Sequence, residues 1–157
     1  MDDDFTKLYL ENQLCFPLYA ASRLTTKVYA PYLNELDITY PQYLVLLVLW
    51  QYTEQTVNEI GSRLLLESNT LTPLLKRLEQ KKLIPRKRSN TDERSVIISL
   101  TEKSEEFRDK AVLIPDKILS SFADNTFTAS EIQKFHKTLL KLVEALNKKT
   151  TANNGLV

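Results

Sequence analysis

The residues best suited to act on another molecule lie between Ser68 and Thr101. Leu71, Leu74, Leu75 and Leu78 recur at the i, i+3, i+4, i+7 spacing of one helix face. The opposite face carries Thr70, Thr72, Lys76, Arg77 and Gln80. Two β-rich runs follow, Leu83–Arg88 and Ser95–Leu100, joined by the polar turn Ser89-Asn90-Thr91-Asp92-Glu93. A helix of this kind fits the major groove of double-stranded DNA, and a basic hairpin turn reaches phosphates or the minor groove. The hydroxyls of Ser68, Thr70 and Thr72, near the start of the helix, suit phosphate or base edges. Arg86, Lys87 and Arg88 add attraction for phosphate.

Charge points the same way. From Lys76 to Arg94 there are eight basic residues against three acidic ones, a net of +5 in a chain of net +1, which leaves −4 for the remainder. A concentrated positive patch on a nearly neutral protein is an electrostatic footprint for nucleic acid. The plainer reading is a solvated helix face beside a basic hairpin. Helix, hairpin and charge occurring together favour DNA.

Cys15 is the only cysteine, so no disulfide can form within the chain. It falls in line with Leu8, Leu18 and Ser22, on what reads as the apolar stripe of a first helix. A lone cysteine there is usually an inert core residue. No Lys, Arg or His lies within a turn of it to favour the thiolate, so any reactivity needs groups brought in by folding or by a second subunit.

These residues need elements to hold them. A chain of 157 residues reads as one domain, and scarce Gly, abundant Leu and mostly helical periodicity make it mainly α. The longest apolar run, Leu44–Trp50, is too short to span a bilayer, and the acidic start Met1-Asp2-Asp3-Asp4 is the opposite of a signal peptide. The expected location is the cytoplasm, away from membranes. We expect a long first helix from about Phe5 to Tyr32, and then a helix over Gln42–Tyr52 started by Pro41, with Tyr40 held extended before it. Thr56-Val57-Asn58-Glu59 is a capping box for a short helix to about Leu65. The polar-faced helix begins near Ser68 or Thr70, with Pro73 tolerated in or just past its first turn. Thr101 caps a long helix carrying Phe107, Ala111, Ile114 and Ile118, which Pro115 should kink. Thr128-Ala129-Ser130-Glu131 is another capping box, opening a last helix with Ile132, Phe135, Leu139, Leu140, Val143 and Leu146 on one side. The tail Thr150–Val157 reads as disordered.

A helix–turn–helix followed by a β-hairpin is a winged helix. The expected fold is therefore mainly α (α+β). Residues 41–101 form a winged helix-turn-helix DNA-binding region, and helices 5–32 and 102–148 form a dimerisation region. The terminal helices carry apolar faces that a winged helix does not need, and a second subunit is the simplest cover. A two-fold homodimer would place two reading helices about one helical turn apart on a pseudo-palindromic operator.

In its order of elements the chain resembles the MarR family of bacterial transcription regulators. Asp92-Glu93-Arg94, then Leu100-Thr101, is similar to that family's wing signature. The match is closer to the organic-hydroperoxide-sensing repressors, usually called OhrR. Leu10-Glu11-Asn12-Gln13-Leu14-Cys15-Phe16, Ile38-Thr39-Tyr40-Pro41-Gln42-Tyr43 and Thr70-Leu71-Thr72-Pro73-Leu74-Leu75-Lys76-Arg77 resemble that group, and the likeness spans about residues 5–148. It implies that Cys15 is a peroxide sensor and that Tyr29 and Tyr40 hydrogen-bond it across a dimer, a contact favouring the thiolate. Tyr19, one turn along, would line the same pocket. Arg94 would enter the minor groove, oriented by Asp92. The plainer readings are amphipathic packing for the tyrosines and a surface ion pair for Asp92 and Arg94.

The resemblance further implies a redox switch, and the sequence shows no metal-ligand cluster and no phosphate-cradling Gly loop, so no cofactor or metal is expected. The thiolate attacks an organic hydroperoxide and becomes a sulfenic acid. With no second cysteine, a small cellular thiol then forms a mixed disulfide, or oxidation runs on to sulfinic and sulfonic acids. Polar bulk at an apolar dimer seam would shift the subunits and release DNA. Two departures stand out. Pro17 replaces an apolar non-proline residue and should remove the hydrogen bond to the Gln13 carbonyl and kink the helix. Asn69 stands where relatives often carry Gly. Three other readings compete: a regulator released by a small aromatic ligand with Cys15 a bystander, a thiol enzyme, and a helical interaction module. The enzyme is disfavoured, with no resolving cysteine and the lone His136 far along the chain. The basic helix and wing argue against the interaction module.

Overall fold

The computed structural model describes residues 4–90, 92, 94–122 and 126–154. Thr91 and Glu93 of the expected hairpin turn, Met1–Asp3 of the acidic start and residues 155–157 of the tail lie outside the described residues.

The first helix is shorter than its apolar pattern suggests. Two 3-10 turns, Asp4–Leu8 and Leu10–Asn12, precede α1, Cys15–Asn34. Side chains fold back on this segment: Asn12 Nδ2 donates to the Thr6 carbonyl at 2.7 Å, and Gln13 Nε2 to those of Lys7 (2.6 Å) and Tyr9 (3.1 Å). Such local bonds offer the backbone an alternative to helix. The late start also corrects the kink expected of Pro17. As the third residue of α1, Pro17 sits in the first turn, where an N–H has no helical partner anyway. The Gln13 carbonyl takes the Phe16 N–H at 3.3 Å instead.

Helix α2 spans Tyr40–Tyr52, so Tyr40 is helical and the extended residue is Thr39, the N-cap of a Thr39–Gln42 box. The Thr56–Glu59 box opens α3, Val57–Leu64, and α4 runs Ser68–Gln80. Strand β1, Gln55–Thr56, has too short a signal to read from sequence. It pairs with β3, Val96–Ile98, which also pairs with β2, Arg86–Arg88, in the antiparallel order β1-β3-β2. Thr101 caps α5, Glu102–Ala111. The single long helix expected next is two. Pro115 cannot bond the Ala111 carbonyl, and α6 restarts over Ile114–Phe122. The Thr128–Glu131 box opens α7, Ala129–Asn154, so Thr150–Asn154 is helical rather than disordered.

The core gathers Val45, Leu46, Leu49, Ile60, Leu71, Leu75, Leu78, Leu83, Ile84 and Ile98, joined by Leu33, Ala111, Ile114 and Ile118. Leu71, Leu75 and Leu78 of α4 and Ile98 of β3 belong to it, so the core fixes α4 and the hairpin in place. α1 has one buried residue, Leu33, and α7 has none among its described positions. Phe135, Leu140, Val143 and Leu146 on α7 are 59%, 56%, 45% and 50% exposed. Phe122, Phe127, Ile132, Phe135 and Leu139 line an open apolar groove of about 460 Å³.

The turn between α3 and α4 tolerates no side chain at Gly61. A Cβ there would stand 2.8 Å from the Leu66 carbonyl oxygen, which is backbone and cannot rotate away. The Gly61 carbonyl also takes the Leu66 N–H at 2.9 Å, and Leu65 has φ 54°. Gly61→Ala is expected to destabilise the fold by about 1–3 kcal/mol, as overpacked sites do. Urea unfolding monitored by circular dichroism tests this. An unchanged midpoint would mean that the turn yields freely.

Candidate nucleic-acid interface and sensor cysteine

On α4, Ser68, Thr70, Thr72, Lys76 and Arg77 are exposed, while Leu71, Leu75 and Leu78 are buried. The spacing in the sequence thus separates the two faces correctly. No side chain caps the helix at Glu67, so N–H groups of its first turn remain for an anion. Thr72 Oγ1 donates to the Ser68 carbonyl at 2.7 Å, which fixes its hydroxyl. Neither Lys76 nor Arg77 enters an ion pair among the described residues.

The hairpin divides its basic residues. Lys87 and Arg88 are exposed, but Arg86 turns inward. Its Nη1 lies 3.8 Å from Glu79 Oε2, and its buried Nε has no hydrogen-bond partner among the described residues. Arg86 braces the hairpin against α4, so its guanidinium is not a freely projecting phosphate ligand. Asp92 acts on the turn's backbone. Its carboxylate accepts the Ser95 hydroxyl at 2.6 Å and the Arg94 N–H at 3.0 Å, and these bonds hold it below the usual carboxylate range. No ion pair joins Asp92 to the exposed Arg94 guanidinium among the described residues, so the ion-pair reading does not hold. A depressed pKa contributes stability above the unfolded value near ~4 that is lost as pH falls through the folded value. Asp92→Asn is expected to loosen this turn and weaken DNA binding about fivefold, the worth of one hydrogen bond. Titration by fluorescence anisotropy measures it, and an unaltered affinity would show that the turn needs no charge.

Cys15 is exposed as the first residue of α1, which removes the plainer reading of an inert residue in the protomer's core. The helix begins too late to carry Leu8 and Cys15 on one stripe. Leu14 beside it is 82% exposed and Phe16 41%. Tyr19 is also exposed and is engaged by Arg23, whose Nη1 donates to the phenol oxygen at 2.9 Å. Tyr29 and Tyr40 do come together, with ring centroids 4.7 Å apart. Burial raises the pKa of both.

Two aromatics missed in the sequence complete this cluster. Tyr43 lies 6.0 Å from Tyr29 and 6.4 Å from Tyr40, and Trp50 meets Tyr43 edge-on at 6.3 Å. Their three- and seven-residue spacing from Tyr40 and Tyr43 along one helix was the available signal. Tyr43 is pushed up to about 12, chiefly by burial. A phenol raised this way stabilises the fold fully below its unfolded pKa near ~10 and loses that contribution as pH rises toward the folded value. Alkaline unfolding between these limits is expected to be later in Tyr43→Phe than in wild type, once each curve is referred to its own neutral-pH stability. Coincident curves would exclude Tyr43 as the titrating group.

Tyr29 stands fourteen residues after Cys15 on the same helix, about 21 Å along its axis. Within one protomer Tyr29 cannot reach the sulfur. Among the described residues no helix is long and apolar enough to cross a membrane, and no group of three or more His, Cys, Asp or Glu could hold a metal ion.

An exposed polar helix, a preceding helix packed against it and a basic three-stranded wing define a winged helix-turn-helix DNA-binding protein. Residues 27–111 match the family described as transcriptional regulator SarA/Rot. The chain is 50% identical over 149 residues to an organic hydroperoxide resistance transcriptional regulator of Bacillus subtilis, covering 95% of this chain and 99% of that one. Among solved structures, reduced AbfR bound to DNA superposes with a TM-score of 0.73 at 39% identity, covering 93% of this chain and 99% of that chain. Overoxidized AbfR bound to DNA gives 0.67 at 41% identity, covering 90% and 99%. A further AbfR structure is that of the Staphylococcus epidermidis protein. The chain belongs to the MarR family of winged-helix transcriptional regulators, in the group of the organic hydroperoxide resistance regulators.

Proposed function

We propose that this protein is a homodimeric repressor that holds a pseudo-palindromic operator when reduced and releases it when Cys15 is oxidised by an organic hydroperoxide. The observation that carries the reading is the exposed lone cysteine at the head of α1, set in uncovered apolar surface, in a chain half identical to a hydroperoxide resistance regulator. Apolar faces on α1, α6 and α7 are the surface a second subunit would cover. Residues 5–32 and 102–148 then serve dimerisation, and residues 41–101 bind DNA. The partner's Tyr29 and Tyr40 are the pair that would reach Cys15, since its own Tyr29 is too distant.

In the first step the thiolate attacks the peroxide oxygen. The S–O bond forms, the O–O bond breaks, and the alkoxide leaves and takes a proton as an alcohol. In the second, a small cellular thiol condenses with the sulfenic acid, giving a mixed disulfide and water. An overoxidized AbfR is bound to DNA. We therefore assign release to the bulk of the thiol adduct rather than to added oxygen atoms alone. Such an adduct would wedge the apolar seam and separate the two α4 helices. The wedge needs only a few kcal/mol of differential stability to shift a two-state dimer.

The test is binding to DNA fragments selected by the reduced protein, before and after one equivalent of cumene hydroperoxide per subunit with free cysteine present. Release only after treatment is expected. Retention of DNA with Cys15 fully converted to the mixed disulfide would sink the reading and leave release by a small aromatic ligand as the alternative.

A further inference from the structure

Tyr43, Trp50 and Ser104 have no part in the scheme above, yet a chain of contacts runs through them from the tyrosine pair to the base of the wing. We propose that Trp50 is a positioning residue that couples the Tyr29–Tyr40 pair to the joint where the chain leaves α4 for the wing. The inference rests on the sensor reading and says which residues carry the shift inside one subunit.

Every link is a direct contact. Tyr43 is 2% exposed and packs on both Tyr29 and Tyr40, so a displacement of either ring displaces it too. Trp50 stands two turns further along α2 and touches Tyr43 edge-on at 6.3 Å. Its indole Nε1–H donates to the Ser104 carbonyl at 3.2 Å, across 54 residues of sequence. Ser104 is fully buried in the first turn of α5. Its hydroxyl donates to the Leu83 carbonyl and accepts the Thr101 N–H at 2.9 Å. Thr101 Oγ1 in turn donates to the Lys82 carbonyl at 2.8 Å. Lys82 has φ 59°, and the Leu83 N–H closes on the Leu78 carbonyl at 3.0 Å. The backbone of Lys82 and Leu83 is the joint, and the head of α5 grips it.

The indole bond is not needed to satisfy Ser104. That carbonyl lies inside α5 and already receives the N–H four residues on. Trp50 is only partly buried, so phenylalanine would keep most of its packing. What Trp50→Phe removes is a directional tie between α2 and the head of α5. A tie of this kind transmits a shift only if both ends are held, as they are here by Tyr43 and by Leu83.

The experiment compares DNA affinity of reduced and cumene-hydroperoxide-treated protein, with cysteine as the thiol, for wild type, Trp50→Phe and Tyr43→Leu. Trp50→Phe is expected to keep the reduced-state affinity and the Cys15 oxidation rate of wild type. Its ratio of reduced to oxidised affinity should fall about tenfold, the usual scale of a coupling free energy. Tyr43→Leu breaks the same chain from the other end and should lower the ratio alike, with the double variant no worse than either. An unchanged ratio in Trp50→Phe overturns the proposal whatever Tyr43→Leu does, as do losses that add in the double variant. Loss of reduced-state binding in Trp50→Phe also overturns it, because the indole would then serve folding alone. A wild type that fails to distinguish the two states defeats the sensor reading itself, and the wild-type arm shows this independently of the variants.

Discussion

Cys15→Ser is expected to bind DNA as tightly as reduced wild type and to keep it after any hydroperoxide treatment. Serine replaces sulfur with oxygen at a position exposed in the protomer, so no packing within the subunit is lost, and the isosteric hydroxyl can still take hydrogen bonds from the partner's tyrosines. The hydroxyl cannot form a sulfenic acid or a mixed disulfide, so the response should vanish rather than weaken. Because the chain holds no other cysteine, no second thiol can substitute. The measurement is anisotropy of labelled DNA with oxidant and cysteine added, with mass spectrometry showing the thiol adduct on wild type alone. A variant that still releases DNA would place the trigger at another residue or in a ligand.

The second large effect is expected on the exposed face of α4. Arg77→Ala should cost about 1–3 kcal/mol in DNA binding and relax sequence discrimination, because a planar guanidinium reads a guanine edge bidentately. Lys76→Ala should weaken binding evenly across sequences and flatten the salt dependence, by about one unit of slope for each phosphate that is no longer neutralised, once in each subunit. Both side chains are exposed and neither is tied up in an ion pair among the described residues, so neither substitution disturbs the fold. Arg86 is the contrast. Its tie to Glu79 predicts that Arg86→Ala lowers stability as well as DNA affinity. Titrations from low to moderate salt separate these roles. Equal salt slopes for wild type and Lys76→Ala would remove Lys76 from the interface.

The DNA-binding half is legible in the amino-acid sequence because its signals are local. The leucine spacing of Leu71 to Leu78 defines a helix face, and the polar residues left over define the opposite one. Capping boxes at Thr56 and Thr128 and the cap at Thr101 place helix starts, since each box closes within four residues. Elsewhere local signals mislead. The apolar pattern ahead of Cys15 suggests helix, but side chains bonding back to the backbone make 3-10 turns instead. A two-residue strand at Gln55 depends on a partner more than forty residues on, and no window of sequence contains both.

Sequence alone thus determined the fold class, the polar-faced helix, the basic hairpin and the single thiol, because residue type and short-range periodicity suffice for each. Tertiary structure decided what depends on distance through space. It turned Arg86 inward and gave Asp92 to the turn's backbone instead of to a guanidinium. It exposed Cys15, gathered Tyr29, Tyr40, Tyr43 and Trp50 into one cluster, and left Tyr19 outside it with Arg23. Those outcomes turn on where a helix begins and on contacts between residues far apart in the chain, which only the packed core sets.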